Sequence, residues 1–206
     1  MKKNYVTLLI LLLLTVKIFA QDDAKAKFQK NKYELAISYY KKADFKNALD
    51  LFSVASKIRP ENELGQQSIK KVDTLKALLR KDIKTKALGI WKMTGDKPVW
   101  AVKPTDNALN AVADQFVEIS ETKIVFYEQD KKTLVKKVIK TEDLVYYNKD
   151  KADSLFSAII LSDGTIWNCS LNESATVLHV INIARQSQNG IEKIESENLE
   201  RFYMKM

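Results

Sequence analysis

From Ala24 to Pro60 apolar residues recur at three-, four- and seven-residue spacings, and no Gly or Pro intervenes before Pro60. Phe28, Leu35, Ala36, Tyr39 and Tyr40 make one apolar face, so the spacing predicts a first helix. Ala43-Asp44 interrupts the pattern. A second helix opens near Asp44, with Phe45, Ala48, Leu49, Phe52, Ala55 and Ile58 on one side and Pro60 as its stop. Gly65 to Lys84 reads as a third helix, with Ile69, Val72, Leu75, Leu79 and Ile83 as its stripe and charges over much of the rest.

Near Leu88 the period drops to two, and aromatic and β-branched residues take over. Strands are expected over Gly89–Met93, Val99–Val102, Phe116–Ser120, Lys123–Tyr127, Leu134–Ile139 and Leu144–Tyr147. Further strands are expected over Leu155–Leu161, Thr165–Leu171, Thr176–Ala184, Ile191–Ile194 and Arg201–Met204. Asp106–Asp114, rich in Ala and Asn, suits a short helix. Ser162-Asp163-Gly164-Thr165 predicts a tight hairpin, because Asp-Gly tolerates the positive φ that a two-residue loop demands. That loop would set Ile160 opposite Trp167, Ala158 opposite Cys169 and Phe156 opposite Leu171, with this face as the core.

The fold class expected is therefore α+β: a three-helix domain over residues 21–86, then an antiparallel β domain over 87–206, a barrel or a sandwich. Ala36, Tyr39, Phe45, Ala48, Phe52, Ala55 and Pro60 fall at the small, aromatic and proline places of one helix-turn-helix repeat, which resembles the tetratricopeptide (TPR) repeat. No second copy follows, and the third helix has the character of a cap. The TPR-like resemblance implies protein binding. Gly89-Ile90-Trp91 is similar to the G-x-W start of lipocalin-type barrels, and that likeness sets Arg201 of the last strand against Trp91. It implies a small apolar ligand inside a β-barrel of about eight strands.

The chain's start changes the compartment. Lys2 and Lys3, the apolar run Val6–Val16 and Phe19-Ala20-Gln21 compose a signal peptide, with cleavage expected after Ala20. The run is shorter than the roughly 20 apolar residues of a membrane span, so no transmembrane segment is expected after cleavage. Of the formal charge of +8, Lys2, Lys3 and Lys17 leave with that segment, and the remaining surplus sits in Gln21–Lys84, where fifteen basic residues face nine acidic ones. Basic surface attracts acidic lipid headgroups or acidic proteins; in an exported, periplasmic or extracellular protein it does not point to nucleic acid.

Chemistry is sparse. A single Cys, Cys169, excludes an intrachain disulfide, and with the single His, His179, it provides no zinc site of familiar spacing. No phosphate-binding loop, dinucleotide fingerprint or nucleophile elbow occurs. The reading is an exported non-enzymatic adaptor of the cell envelope that needs no cofactor, with Tyr33, Tyr40 and Lys70 as the surface for a protein or peptide partner. The alternative is a lipocalin-like carrier, with Trp91, Phe126 and Trp167 lining the cavity for a small apolar ligand.

Overall fold

The computed structural model describes residues 23–96, 112–148, 153–187, 190–192 and 200–206. The expected signal peptide, strand Val99–Val102 and most of the expected helix Asp106–Asp114 lie outside these residues. Ala113 and Asp114 are described, and they open a strand instead.

Three helices come first: α1 over 23–41, α2 Phe45–Ile58 and α3 Glu63–Ala87. The chain divides into two compact units between Leu78 and Leu79, inside α3, so the last turns of that helix fall in the β unit. In the first unit Ala36, Ala48 and Ala55 are fully buried beside Leu49, Phe52 and Leu75; small residues bring the helix axes close, and larger ones fill the space beside them. Ala43 turns the chain with φ 58°, and Asp44 then caps α2 by accepting from the Asn47 amide at 3.3 Å.

The expected face of α1 is displaced. Phe28 and Leu35 are 50% and 45% exposed, whereas Gln29 is fully buried. Its amide donates to the Ala55 and Arg59 carbonyls at 2.9 and 3.2 Å, and accepts from Asn62 Nδ2 at 2.6 Å. Asn62 Oδ1 in turn takes the Gly65 amide at 2.7 Å. One glutamine thus satisfies carbonyls freed at the end of α2 and holds the residue that starts α3. Gly65 is required here, because a Cβ would sit 2.1 Å from the Arg59 carbonyl oxygen.

Among the described residues nine strands form one antiparallel sheet: β1 Gly89–Gly95, β2 Ala113–Ile119, β3 Lys123–Asp130, β4 Lys136–Asp143, β5 Ile159–Ile160, β6 Thr165–Leu171, β7 Val177–Ser187, β8 Gly190–Glu192 and β9 Glu200–Lys205. The ladder runs β4-β3-β2-β1-β9-β7-β6-β5, and β8 pairs with β7. It is not a closed barrel, which corrects the barrel expectation. Closure needs a ladder between β4 and β5, but β5 is two residues long because Asp153–Leu155 forms a 3₁₀ turn where a longer strand was expected. The chain leaving β4 makes only one bridge to β5, Tyr146 to Ile159.

The sheet nevertheless curls. Ile124 from one end of the ladder and Ile159 from the other share a core with Trp91, Val117, Trp167, Leu178, Val180 and Tyr203.

The hairpin before β6 differs from expectation by one residue. Ile159 pairs with Trp167 and Ile160 with Ile166, and the Leu161 amide donates to Thr165 O. The loop is therefore three residues, Ser162-Asp163-Gly164, with the positive φ of 81° at Gly164, as in a turn that ends in a left-handed glycine. A slip of one residue exchanges the faces of β5. Ile159 and Leu161 point inward with Trp167, whereas Ala158 packs on the outer face against Ile166, Tyr147 and Ala184.

Candidate functional site

Alternation along each strand of the β unit sorts the inward side chains into levels. At the deepest level the curled sheet is closed by the last turns of α3. Ile83 and Ala87 meet Ile119, Ile124, Leu144 and Leu178 around a residual apolar space of about 50 Å³. Polar clamps seal this end. Trp91 Nε1 donates to the Ala87 carbonyl at 2.7 Å and Lys205 Nζ to Lys86 O at 2.8 Å, which satisfies carbonyls at the end of α3. Arg80 donates through Nε to Phe156 O at 2.8 Å, lies 4.5 Å from the Tyr146 ring centroid, and receives the Tyr146 hydroxyl on its own carbonyl at 3.2 Å. Burial raises the Tyr146 hydroxyl above its ordinary pKa, and Arg80 and Lys84 offset part of that.

Val117, Trp167 and Tyr203 make the middle level and border both the sealed end and the open one. Phe126 meets the Trp167 ring edge-on at 5.5 Å. Above this aromatic floor lies a cavity of about 400 Å³. Its walls change from apolar to polar toward the mouth, where Gln115, Glu128, Lys140, Asn182, Arg185 and Arg201 line it. Burial pushes the Tyr203 hydroxyl above its usual value, and Arg201 draws it partway back through its charge and a hydrogen bond.

The loop beside the mouth is pinned by one buried carboxylate. Glu142, 3% exposed, accepts the Ser162 amide and hydroxyl, each at 2.8 Å, and pairs with Lys140. Burial alone would raise this carboxyl; the Lys140 and Ser162 hydrogen bonds outweigh it and hold Glu142 below its ordinary pKa. Hydrogen bonding to Glu142 raises the Lys140 ammonium in turn, against its own desolvation. Asp163 lies 3.6 Å from Lys140 and accepts the Thr165 amide at 2.9 Å.

Of the residues singled out from sequence, Phe126 and Trp167 line this cavity. Trp91 does not: it is fully buried in the core below. Its expected neighbour Arg201 stands at the mouth, and Lys205 covers the Trp91 ring at 5.2 Å, because the β1–β9 register sets Trp91 opposite Lys205. In the helical unit Tyr33 packs edge-on against Phe52 and donates to Gln67 Oε1 at 2.8 Å. Tyr40 lies between Phe45 and the Lys71 ammonium, and Lys70 is exposed. Tyr33 and Tyr40 are thereby knit into the helix packing, while Lys70 faces solvent.

His179 stacks on Phe202 at 4.3 Å and sits 3.1 Å from Glu200, on the outer face of β7 and β9. Burial pushes the inward Cys169 thiol up to about 12, which leaves it unreactive at neutral pH. Among the described residues no group of three or more His, Cys, Asp or Glu is placed to hold a metal ion, and no helix is long and apolar enough to cross a membrane.

Sequence reading missed Lys140, Glu142, Asn182 and Arg185. Register shifts in β3–β4 and β6–β7 precede the inward Lys140 and Arg185, so simple alternation assigns such residues to the wrong face. Arg201-x-Tyr203-x-Lys205 on β9 carries the one signal that alternation could have supplied. Comparison of the chain with protein-family models, with curated proteins and with solved structures returns no match.

Proposed function

We propose that the β unit carries a small amphipathic molecule inside its curled sheet and performs no chemistry on it. One observation carries this reading. The interior is left open by about 400 Å³ between an aromatic floor and a polar mouth, which falls within the roughly 300–1,000 Å³ of ordinary ligand sites. The ligand's apolar body would lie on Phe126, Trp167 and Tyr203, and its polar end would meet the donors of the mouth. The role is similar to that of lipocalin-like carriers, reached without a closed ladder.

The test is native mass spectrometry of the protein drawn gently from its own cells, beside Gln115→Trp. Gln115 is exposed and borders the cavity, so a Trp there blocks the space without disturbing the core. A bound mass of small-molecule size on the parent and its absence from the folded variant support carriage. A parent without added mass, or a variant that retains it, sinks the proposal.

A second reading, partner binding by the TPR-like helices, draws on the half-exposed Phe28 and Leu35 of α1. It would make the chain an exported adaptor of the cell envelope, and Tyr40→Ala with Lys70→Glu would abolish capture of its partner. Unaltered capture by a folded double variant removes that reading.

A further inference from the structure

The β3–β4 hairpin has a composition unlike the rest of the β unit. Residues 131–140 hold five lysines, four aliphatic residues and one threonine, with no acidic residue. Lys131 lies 3.7 Å from Asp114 and Lys140 pairs with Glu142 and Asp163, so the charge this hairpin offers outward rests on Lys132, Lys136 and Lys137. All four aliphatics are turned out: Leu134, Val135, Val138 and Ile139 are 66%, 64%, 61% and 54% exposed. Val112 stands beside them, 76% exposed, with its carbonyl accepting the Lys131 amide at 3.1 Å.

This exposure is built. Asp130 Oδ1 accepts the Lys132 and Thr133 amides at 2.8 and 2.7 Å, and the Asp130 amide donates to Val135 O at 3.0 Å. These bonds hold Leu134 in the left-handed region at φ 59°, a conformation that costs a non-glycine residue energy and persists only where its surroundings impose it. The chain thus spends order and strain to present a leucine to solvent.

Lysines on β4, an end strand of the ladder, have an ordinary purpose, since charge on an exposed edge discourages pairing with other chains. Edge protection does not account for four aliphatics among them, which would defeat it. Interleaved lysines and aliphatics on a tip fit a surface that is negatively charged outside and oily beneath: aliphatic groups enter the headgroup boundary, and long lysine stems keep their ammonium groups at its level.

We propose that the β3–β4 hairpin, with Val112 beside it, docks the protein onto an anionic lipid bilayer. The inference stands on the hairpin alone and holds whatever the cavity contains. Its position adds a consequence. Ile139 and Lys140 belong to this hairpin and also line the cavity mouth, so docking sets the mouth at the bilayer surface, where an amphipathic molecule could pass without crossing water.

A fluorophore sensitive to polarity, attached to Val135→Cys, reads the contact at the hairpin itself. Cys169, which is only partly buried, is changed to Ala in every labelled chain, so labelling is confined to the introduced site. The full chain is titrated with vesicles of phosphatidylcholine containing phosphatidylglycerol, and separately with phosphatidylcholine alone. A label on Glu173→Cys, in the exposed turn between β6 and β7, serves as the control for binding through any other part of the chain.

The expected result is a blue shift and rise in emission at position 135 with the anionic vesicles, reversed by high salt, and none at position 173. Lys132→Glu with Lys136→Glu and Lys137→Glu should weaken the vesicle affinity roughly a hundredfold or more; these side chains are exposed, so the fold is retained. No response at position 135, an equal response at position 173, or an equal response to the uncharged vesicles would each overturn the proposal.

Discussion

Glu142→Gln tests how the cavity mouth is held. In the native protein this buried carboxylate accepts two hydrogen bonds from Ser162 and the Lys140 ammonium. An amide of the same shape keeps one acceptor oxygen and turns an N–H₂ group toward donors, so one charge-assisted hydrogen bond, worth about 2 kcal/mol, is lost. The ion pair adds less than about 1 kcal/mol, because Lys140 is 38% exposed and solvent screens it. The sum is about 2–3 kcal/mol at neutral pH. Glu142→Ala should cost little more, since Ser162 is exposed and water can replace the lost acceptor.

The assay is urea unfolding followed by tryptophan emission, which reports the β unit because all three tryptophans follow Leu79. The pH dependence has a fixed sign. Glu142 is depressed in the folded state, so its contribution is present above the unfolded carboxyl pKa of about 4.3 and is lost as pH falls through the lower folded value. Lys140 is raised, so its contribution holds below about 10.4 and is lost as pH rises through the folded value. The Gln variant should therefore lie below the parent at neutral pH and converge with it in acid. A difference under about 0.5 kcal/mol at neutral pH, or a gap that widens in acid, would refute the assignment of Glu142 as the pin of this loop.

Gln29→Ala should destabilise the helical unit by about 2 kcal/mol, since it removes the hydrogen bonds that join the Ala55 carbonyl and the Asn62 side-chain amide; the helical signal in circular dichroism against urea measures it, and a neutral result would mean that water serves those groups. Ala43→Gly should gain about 0.5 kcal/mol by the same measurement, because Ala43 sits at φ 58° and glycine relieves the left-handed strain while losing some chain entropy. Trp91→Phe should cost at least about 1 kcal/mol in tryptophan-monitored unfolding, from the lost Nε1 bond to the buried Ala87 carbonyl and the smaller ring. Neither Gln29→Ala nor Ala43→Gly should alter the ligand or vesicle binding proposed for the β unit.

What the sequence determined by itself was local. The period of about 3.6 before residue 88 and of 2 after it marks helices and strands, because side-chain direction follows backbone geometry within one element. The opening of α2 near Asp44 and the strand Thr165–Leu171 were legible for the same reason: each depends on residues within a few positions. What only the tertiary structure decided was which residues meet. The third loop residue before β6 moved Ile159 inward, and register shifts re-aimed Lys140 and Arg185. Such shifts change one residue in the count without changing the composition that signals a strand.

Gln29 makes the same point from the helices. Its place in the pattern reads as polar surface, yet it is buried because two helix ends converge on it and need its amide. The cavity is the extreme case. Phe126 and Trp167 were legible as aromatics on strands, but an aromatic that floors a space and one that fills it have the same sequence signature. Only the curl of the sheet, with a single bridge and no ladder between its ends and its base closed by the last turns of α3, leaves that space open.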